Sequence, residues 1–378
     1  MKQLKFSLIY LSLAGSVSAY CSTVSTTVLA PDAKPLKSNI LYKMNFSSKI
    51  AGYSEGEDEA TQVLFGFTPE LKFLFSEQFN IKANATLNLS SSRSQSRFQE
   101  HSNDSFVLNE LSLNYSPVSF GELSVGSLDQ SHLETPYLLS GVSFPGALVK
   151  LQAKTNDLSY GYKVQELIPT SNSFDSDRTE KEALPRLQTQ GVFASYNGKA
   201  NISAKAQINY FKFTNLPSVV AYDSKLLGNT IQGLESSDSS FAYEFSGFAQ
   251  SYKVTANYTS QFEQSFGLSI VENENLTSGS NRAQMIETSV TYHDGDIDYI
   301  AGLGLFYAET DVAPGYYNSR VHGNNNRQGI KYSFQTIFNA TNMAMTVNYA
   351  DAKVINTSVY QDDLSLVEVL VEMINVKF

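Results

Sequence analysis

The chain has 378 residues, a formal net charge of −10, one Cys and no Trp. An acidic balance with only 17% charged residues argues against a nucleic-acid partner. A single Cys excludes an internal disulfide. No P-loop, Gly-rich dinucleotide turn or Cys/His metal cluster occurs, so no cofactor is implied.

The chain opens "MKQLKFSLIYLSLAGSVSAYCS". Lys2 and Lys5 precede a short apolar core, Phe6 to Ala14, too short to span about 30 Å of hydrocarbon as a helix. Val17-Ser18-Ala19 supplies the small residues of a cleavage site, which predicts a secretory signal over 1–19. A lipid anchor on Cys21 is the alternative, disfavoured by Tyr20 where a small residue belongs. Residues 20–38, with Pro31 and Pro35, read as a periplasmic tail, and 39–378 as one domain. Past residue 20 no run of about 18 apolar residues follows, so a membrane-spanning form of this chain must be a closed barrel.

From Asn39 onward, alternating segments are separated by breaks. "FNIKANATLNLS" (79–90) places Phe79, Ile81, Ala83, Ala85, Leu87 and Leu89 on one face and polar residues on the other. Similar rows begin at Ile40, Val63, Leu111, Leu123, Ala147, Leu158, Val192, Ala200, Phe241, Tyr252, Ile286, Ile297, Ile330 and Met343, and a last one covers about 366–378. That makes about sixteen candidate strands.

The breaks alternate in length. Short ones fall at 76–78, 117–119, 155–157, 197–199, 248–251, 293–296 and 339–342. Asn197-Gly198 and Asp294-Gly295 are strong turn dipeptides. Long ones fall at 49–60, 91–105, 129–145, 166–189, 214–239, 263–281, 309–326 and 352–365. Short turns on one rim and long loops on the other predict an all-β, transmembrane antiparallel β-barrel with short periplasmic turns and long extracellular loops. Aromatics flank the short turns (Phe75 and Phe79, Tyr115 and Phe120, Phe248 and Tyr252, Tyr292 and Tyr299), where rings suit the headgroup level.

The chain ends "INVKF", with Phe378 last and Val376 and Ile374 at alternate positions. This ending resembles the terminal strand signal of bacterial outer-membrane proteins, although Glu372 interrupts its apolar run. The layout as a whole resembles the sixteen-stranded Gram-negative porins, and "FGELSVGSLDQ" (120–130) is similar to the family's fifth strand. The resemblance implies an outer-membrane location, passive diffusion of small hydrophilic solutes and ions, a homotrimer, and contact with lipid, lipopolysaccharide and the barrel-assembly machinery. It also implies that loop 129–145 folds inward, with Asp129 and Glu134 as constriction acids facing Lys43, Lys72 and Lys82. The family's Pro-Glu-Phe-Gly-Gly motif is absent, and Lys stands where the family uses Arg.

In the register of the apolar rows, the inward face carries Lys43, Lys72, Lys82, Lys150, Lys154, Lys163, Lys205, Lys253 and Lys331. Its acids are Glu70, Glu110, Glu122, Glu244, Glu287 and Asp298. A wetted wall can carry such charges, whereas a dry one cannot. Acids in 49–60 and 263–281 oppose this basic shaft, which predicts weak ion selectivity. Inward aromatics (Phe193, Phe211, Phe213, Phe306) form no continuous run, which favours a general channel over a sugar-specific one. A non-conducting adhesin or anchor is the other alternative. Of the histidines, His101, His132 and His322 fall in long loops and His293 in a short turn, so no catalytic His–Ser or His–Asp arrangement is expected.

Overall fold

The computed structural model describes residues 40–94, 105–170, 182–198, 201–276 and 280–376. The signal segment 1–19, the tail 20–38, His101 and Phe378 lie outside them. The described chain forms long strands: β1 (Ile40–Glu55), β2 (Asp58–Leu74), β3 (Phe79–Ser94), β4 (Ser105–Val118), β5 (Gly121–Asp129), β6 (Ser143–Lys154), β7 (Leu158–Leu167), β8 (Arg186–Asn197) and β9 (Ile202–Thr214). The second half adds β10 (Ser246–Asn257), β11 (Phe262–Asn273), β12 (Arg282–Asp294), β13 (Ile297–Ala308), β14 (Arg327–Phe338), β15 (Met343–Val354) and β16 (Leu364–Val376). Each pairs antiparallel with its neighbours, and β1 pairs with β16 to close the barrel. Closure leaves no open edge, the condition for a sheet to cross a bilayer. No helix among the described residues is long and apolar enough to cross one.

Alternation sets which face meets lipid. Phe65, Leu89, Val149, Tyr160, Val254, Leu305 and Tyr332 stand exposed on the outer surface, a belt that only hydrocarbon can cover. Rings cluster beside the short turns, with Phe75 against Phe79 at 5.4 Å and Phe262 against Tyr292 at 5.0 Å. The inner row is polar through the periplasmic half. β5 comes so close to β4 that a Cβ on Gly126 (φ +133°) would sit 2.0 Å from Leu111 O. Only glycine fits there.

Four sequence expectations are corrected. The break 49–60 is a two-residue turn, Gly56-Glu57, so Lys49, Tyr53 and Glu55 belong to β1. The break 248–251 lies inside β10, and Tyr258 and Phe262, rather than Phe248 and Tyr252, flank the true turn. The row Phe241, Tyr243, Phe245 is not a barrel strand: Ser240–Phe241 pairs only with Ile231–Gln232, and Phe245 is buried inside. Residues 263–281 hold most of β11 rather than a loop. One strand too many and one too few cancel. At the C-terminus, Met373 faces Phe46 while Val376 faces Met44. β16 therefore carries an extra residue between Met373 and Val376.

Candidate functional site

The lumen is partly filled by loops. L3 (130–142) leaves the wall after β5, and L7 (309–326) after β13, on opposite sides of the closed strand order. They meet inside: Ser140 N donates to Tyr317 O at 2.8 Å, Ser319 N to Pro136 O at 2.9 Å, and the Tyr137 hydroxyl to His322 O at 3.1 Å. L5 (215–245) adds helix α1 (Ser218–Ser224) to the same assembly. A dry core joins the three. Leu133, Tyr137, Leu138 and Leu139 of L3, Val219 and Val220 of α1, and Val312 and Tyr317 of L7 pack on inward Phe144, Phe211, Phe213, Met285 and Phe306. Tyr317 sits edge-on to Phe144 at 5.1 Å and parallel to Phe213 at 6.2 Å. Phe211, Phe213 and Phe306 thus seat loops; they are not an open aromatic track.

Amides hold the irregular backbone of L7. Asn229 Nδ2 donates to Ala313 O at 3.0 Å, and its Oδ1 accepts from Gly315 N at 2.7 Å. Asn325 Nδ2 donates to Ala313 O at 2.7 Å. Asn324 and Asn326 take left-handed backbone (φ 63° and 59°), which Asn tolerates best among residues with a Cβ. The buried Asp311 carboxylate accepts from Thr230 N at 2.8 Å and Thr230 Oγ1 at 2.7 Å; burial raises its pKa and these bonds oppose the rise.

The rest of the lumen is polar. A cavity of about 550 Å³ is lined by Lys82, Glu110, Glu122, Lys150, Lys163 and Lys205 from the wall and by Asp129, His132 and Glu134 beside L3. Along β2–β5 neutral groups form a ladder: Thr68 to Thr86 at 2.8 Å, Asn109 to Asn84 at 3.0 Å, Asn114 to Ser112 at 3.0 Å, and Ser124 to Asn114 at 2.6 Å. Gln62, Asn88 and Ser90, further up the same wall, stay partly exposed. A polar strip therefore runs along β2–β4, away from the dry core.

Strand register places the sequence-derived residues. Lys43 lies opposite Glu70, Lys72 opposite Lys82, Lys150 opposite Glu122 and Lys163, Lys205 opposite Lys253, and Lys331 opposite Gly304. Lys154 faces Ser159, Glu110 faces Asn84 and Glu287 faces Gly267, all on the inner row. Glu244 is misplaced by the sequence reading: it lies outside the barrel strands and is exposed, because Phe245 takes the inward position. Glu134 lies 3.9 Å from Lys205 Nζ, and Lys82 pairs with Glu110 at 3.8 Å. Asp129 accepts from Ser131 N at 3.0 Å. Lys43 and Lys72 do not line the cavity with the loop acids; the bases that do come from β3, β6, β7 and β9.

Two buried ion pairs escape the sequence reading because both involve the mistaken first loop. Lys49 Nζ lies 2.5 Å from Glu368 on β16, and Glu55 pairs with Arg327. Of the histidines within the described residues, His132 and His322 lie in loops as expected and His293 is relocated. His293 is on β12, with Nδ1 2.7 Å from Asp298 Oδ1. Asp298 takes its other bond from Asn339 Nδ2 at 3.0 Å, and among the described residues no serine hydroxyl joins the pair. His322 is buried; Nδ1 meets Ser319 Oγ at 2.9 Å and Nε2 lies 3.9 Å from Glu287 Oε1.

Comparison with known proteins agrees with this geometry. No family model matches the chain, and no curated protein does. Solved structures do. OprB of Pseudomonas putida, in its high-pH structure, aligns at a TM-score of 0.57 with 11% identity, over 89% of this chain and 94% of that one. OmpF of Salmonella typhi, in complex with daunomycin, aligns at 0.50 with 11% identity, over 88% and 97%. A loop L8 deletion mutant of OmpT, an outer membrane protein of Vibrio cholerae, aligns at 0.50 with 10% identity, over 89% and 100%. The chain has the fold of the outer-membrane porins. At such identity the likeness concerns the barrel and its strand order, and the porin-like barrel described above is an outer-membrane β-barrel with short turns on one rim.

Proposed function

We propose that this porin-like barrel is a diffusion channel for small hydrophilic solutes and ions. The observation that carries the reading is the polar cavity bounded by L3 and the β3–β9 wall, continuous with the neutral ladder on β2–β5. Passage of this kind uses width and wall charge in place of catalytic groups. The reading assigns no enzymatic role. Asp129 and Glu134 act at the narrowest part with Lys82, Lys163 and Lys205, and the other inward lysines with Glu110 and Glu287 form the wall. Phe378, Val376 and Ile374 serve recognition by the barrel-assembly machinery, after export by the 1–19 signal. Outer contacts are with lipid and lipopolysaccharide, and a homotrimer is part of the proposal.

The dry core of L3, L5 and L7 favours a second reading, a barrel held shut at its outer mouth as a surface anchor or adhesin. Liposome swelling separates the two. Proteoliposomes placed in isotonic arabinose should swell faster than protein-free vesicles. Equal rates would reject the channel and leave the anchor.

A further inference from the structure

Among the described strand residues the buried charged side chains are Lys163, Arg327 and Glu368. Arg327 has Glu55 and Glu368 has Lys49 as a bonded counter-charge. Lys163 makes no ion pair among the described residues: at 5% exposure its ammonium donates to the neutral Gln207 Oε1 at 2.9 Å. A buried cation without a bonded anion is costly, so a wall that keeps one has a use for it.

Its surroundings add to the imbalance. Lys150 stands directly opposite Lys163, and Lys205 directly opposite Lys253. Like charges at directly paired positions destabilise a sheet. Lys150 also lies 5.2 Å above the Phe193 ring, which fixes its amine. Lys150, Lys163 and Lys205 line one cavity, together with Ser159 and Ser195. The acids of that cavity are partly committed: Glu110 to Lys82, Asp129 to Ser131, and Glu134 at 3.9 Å from Lys205. Glu122 stands beside Lys150 in the register but forms no ion pair among the described residues.

We propose that Lys150, Lys163 and Lys205 form a binding site for the oxyanion of a permeating solute, a carboxylate or a phosphate, beneath L3. Glu134 is the resident counter-ion that the solute displaces. The proposal rests on the channel reading above and names its substrate class: small organic anions. It replaces the weak selectivity expected from the sequence with an inner site that favours anions.

The test is calorimetric titration of the full refolded barrel in detergent with inorganic phosphate and, separately, succinate, beside KCl conductance of the same sample. At least one probe should bind saturably. Lys163→Met should weaken that binding about tenfold or more, the worth of one charged hydrogen bond. Glu134→Gln should tighten it, and Lys353→Met, at an exposed position of β15, should leave it unchanged. Heat-modifiable gel migration checks that each variant folds, and Glu134→Gln stands in should Lys163→Met not fold. Phosphate binding alone assigns phosphorylated solutes, and succinate binding alone assigns carboxylates. If neither probe binds, or Glu134→Gln and Lys163→Met both bind as the wild type does, the site is overturned. Conductance without binding removes the site and keeps the channel; binding without conductance keeps the site and removes the channel.

Discussion

Tyr317 ties L7 to L3 and to the wall, so its truncation should free the inserted loops. Its ring is 1% exposed and contacts Phe144, Phe213 and Tyr316, while its carbonyl accepts from Ser140. Tyr317→Ala removes a buried aromatic from a closed core, a loss of roughly 3–5 kcal/mol. Spread over loop docking, that raises the undocked population by about two to four orders of magnitude. Tyr317→Phe is the paired control: the hydroxyl is buried without a hydrogen-bond partner among the described residues, so removing it should be neutral or slightly stabilising. The assay is single-channel recording with limited proteolysis, since the barrel wall resists cleavage and only undocked loops are cut. Tyr317→Ala should give larger, noisier open current and cleavage within L3 or L7, with Tyr317→Phe unchanged on both counts. If the alanine variant matches wild type in current noise and protease resistance, the loops are not held by this core.

Other consequences follow from single contacts. Burial holds the His322 pKa well below its ordinary value, and Lys331 adds to this. A lowered pKa means that docking stability is full above about pH 6.5 and is lost as pH falls toward the docked value. The half-exposed Glu287 carboxylate, 3.9 Å from Nε2, moderates the loss. Open-current noise should therefore rise between pH 7 and pH 5 in wild type and stay flat in His322→Phe. Glu55→Gln leaves the buried Arg327 guanidinium without its carboxylate, which should lower stability by about 3–5 kcal/mol. Heat-modifiable migration in detergent should show the transition at a lower temperature, and an unchanged midpoint would show the pair to be dispensable. Gly126→Ala drives a Cβ into Leu111 O at the β4–β5 contact, so refolding yield should fall sharply against Gly52→Ala, where the added Cβ meets nothing within 4 Å.

The barrel is legible in the sequence because lipid and water select opposite faces of each strand. Reading stops where that rule is suspended. Phe241 and Phe245 alternate like a lipid-facing row, yet the interior near L5 is also apolar, so period alone cannot say which side they face. β11 carries the row Phe262, Phe266, Leu268 and Ile270, but Gln264 and Glu272 on that row and Glu263 beside it make it read as a loop. β1 and β2 extend past the membrane to Gly56-Glu57, where both faces meet water or protein and the alternation fades. The candidate site divides in the same way. The apolar content of L3 is visible as Leu133, Tyr137, Leu138 and Leu139, but its partner is not. Tyr137 and His322 join two loops, and Glu134 and Lys205 a loop and a distant strand; no local pattern encodes such contacts. The absence of an ion pair at Lys163 is likewise a property of packing, since the sequence shows it only as one inward lysine among several.

Conduction requires a water-filled path beside L3. Its most direct test is single-channel current from the refolded protein in a planar bilayer, with unequal KCl on the two sides. Steady open steps are expected, with a reversal potential displaced toward that of chloride. A protein that inserts as a folded barrel and passes no current would contradict it.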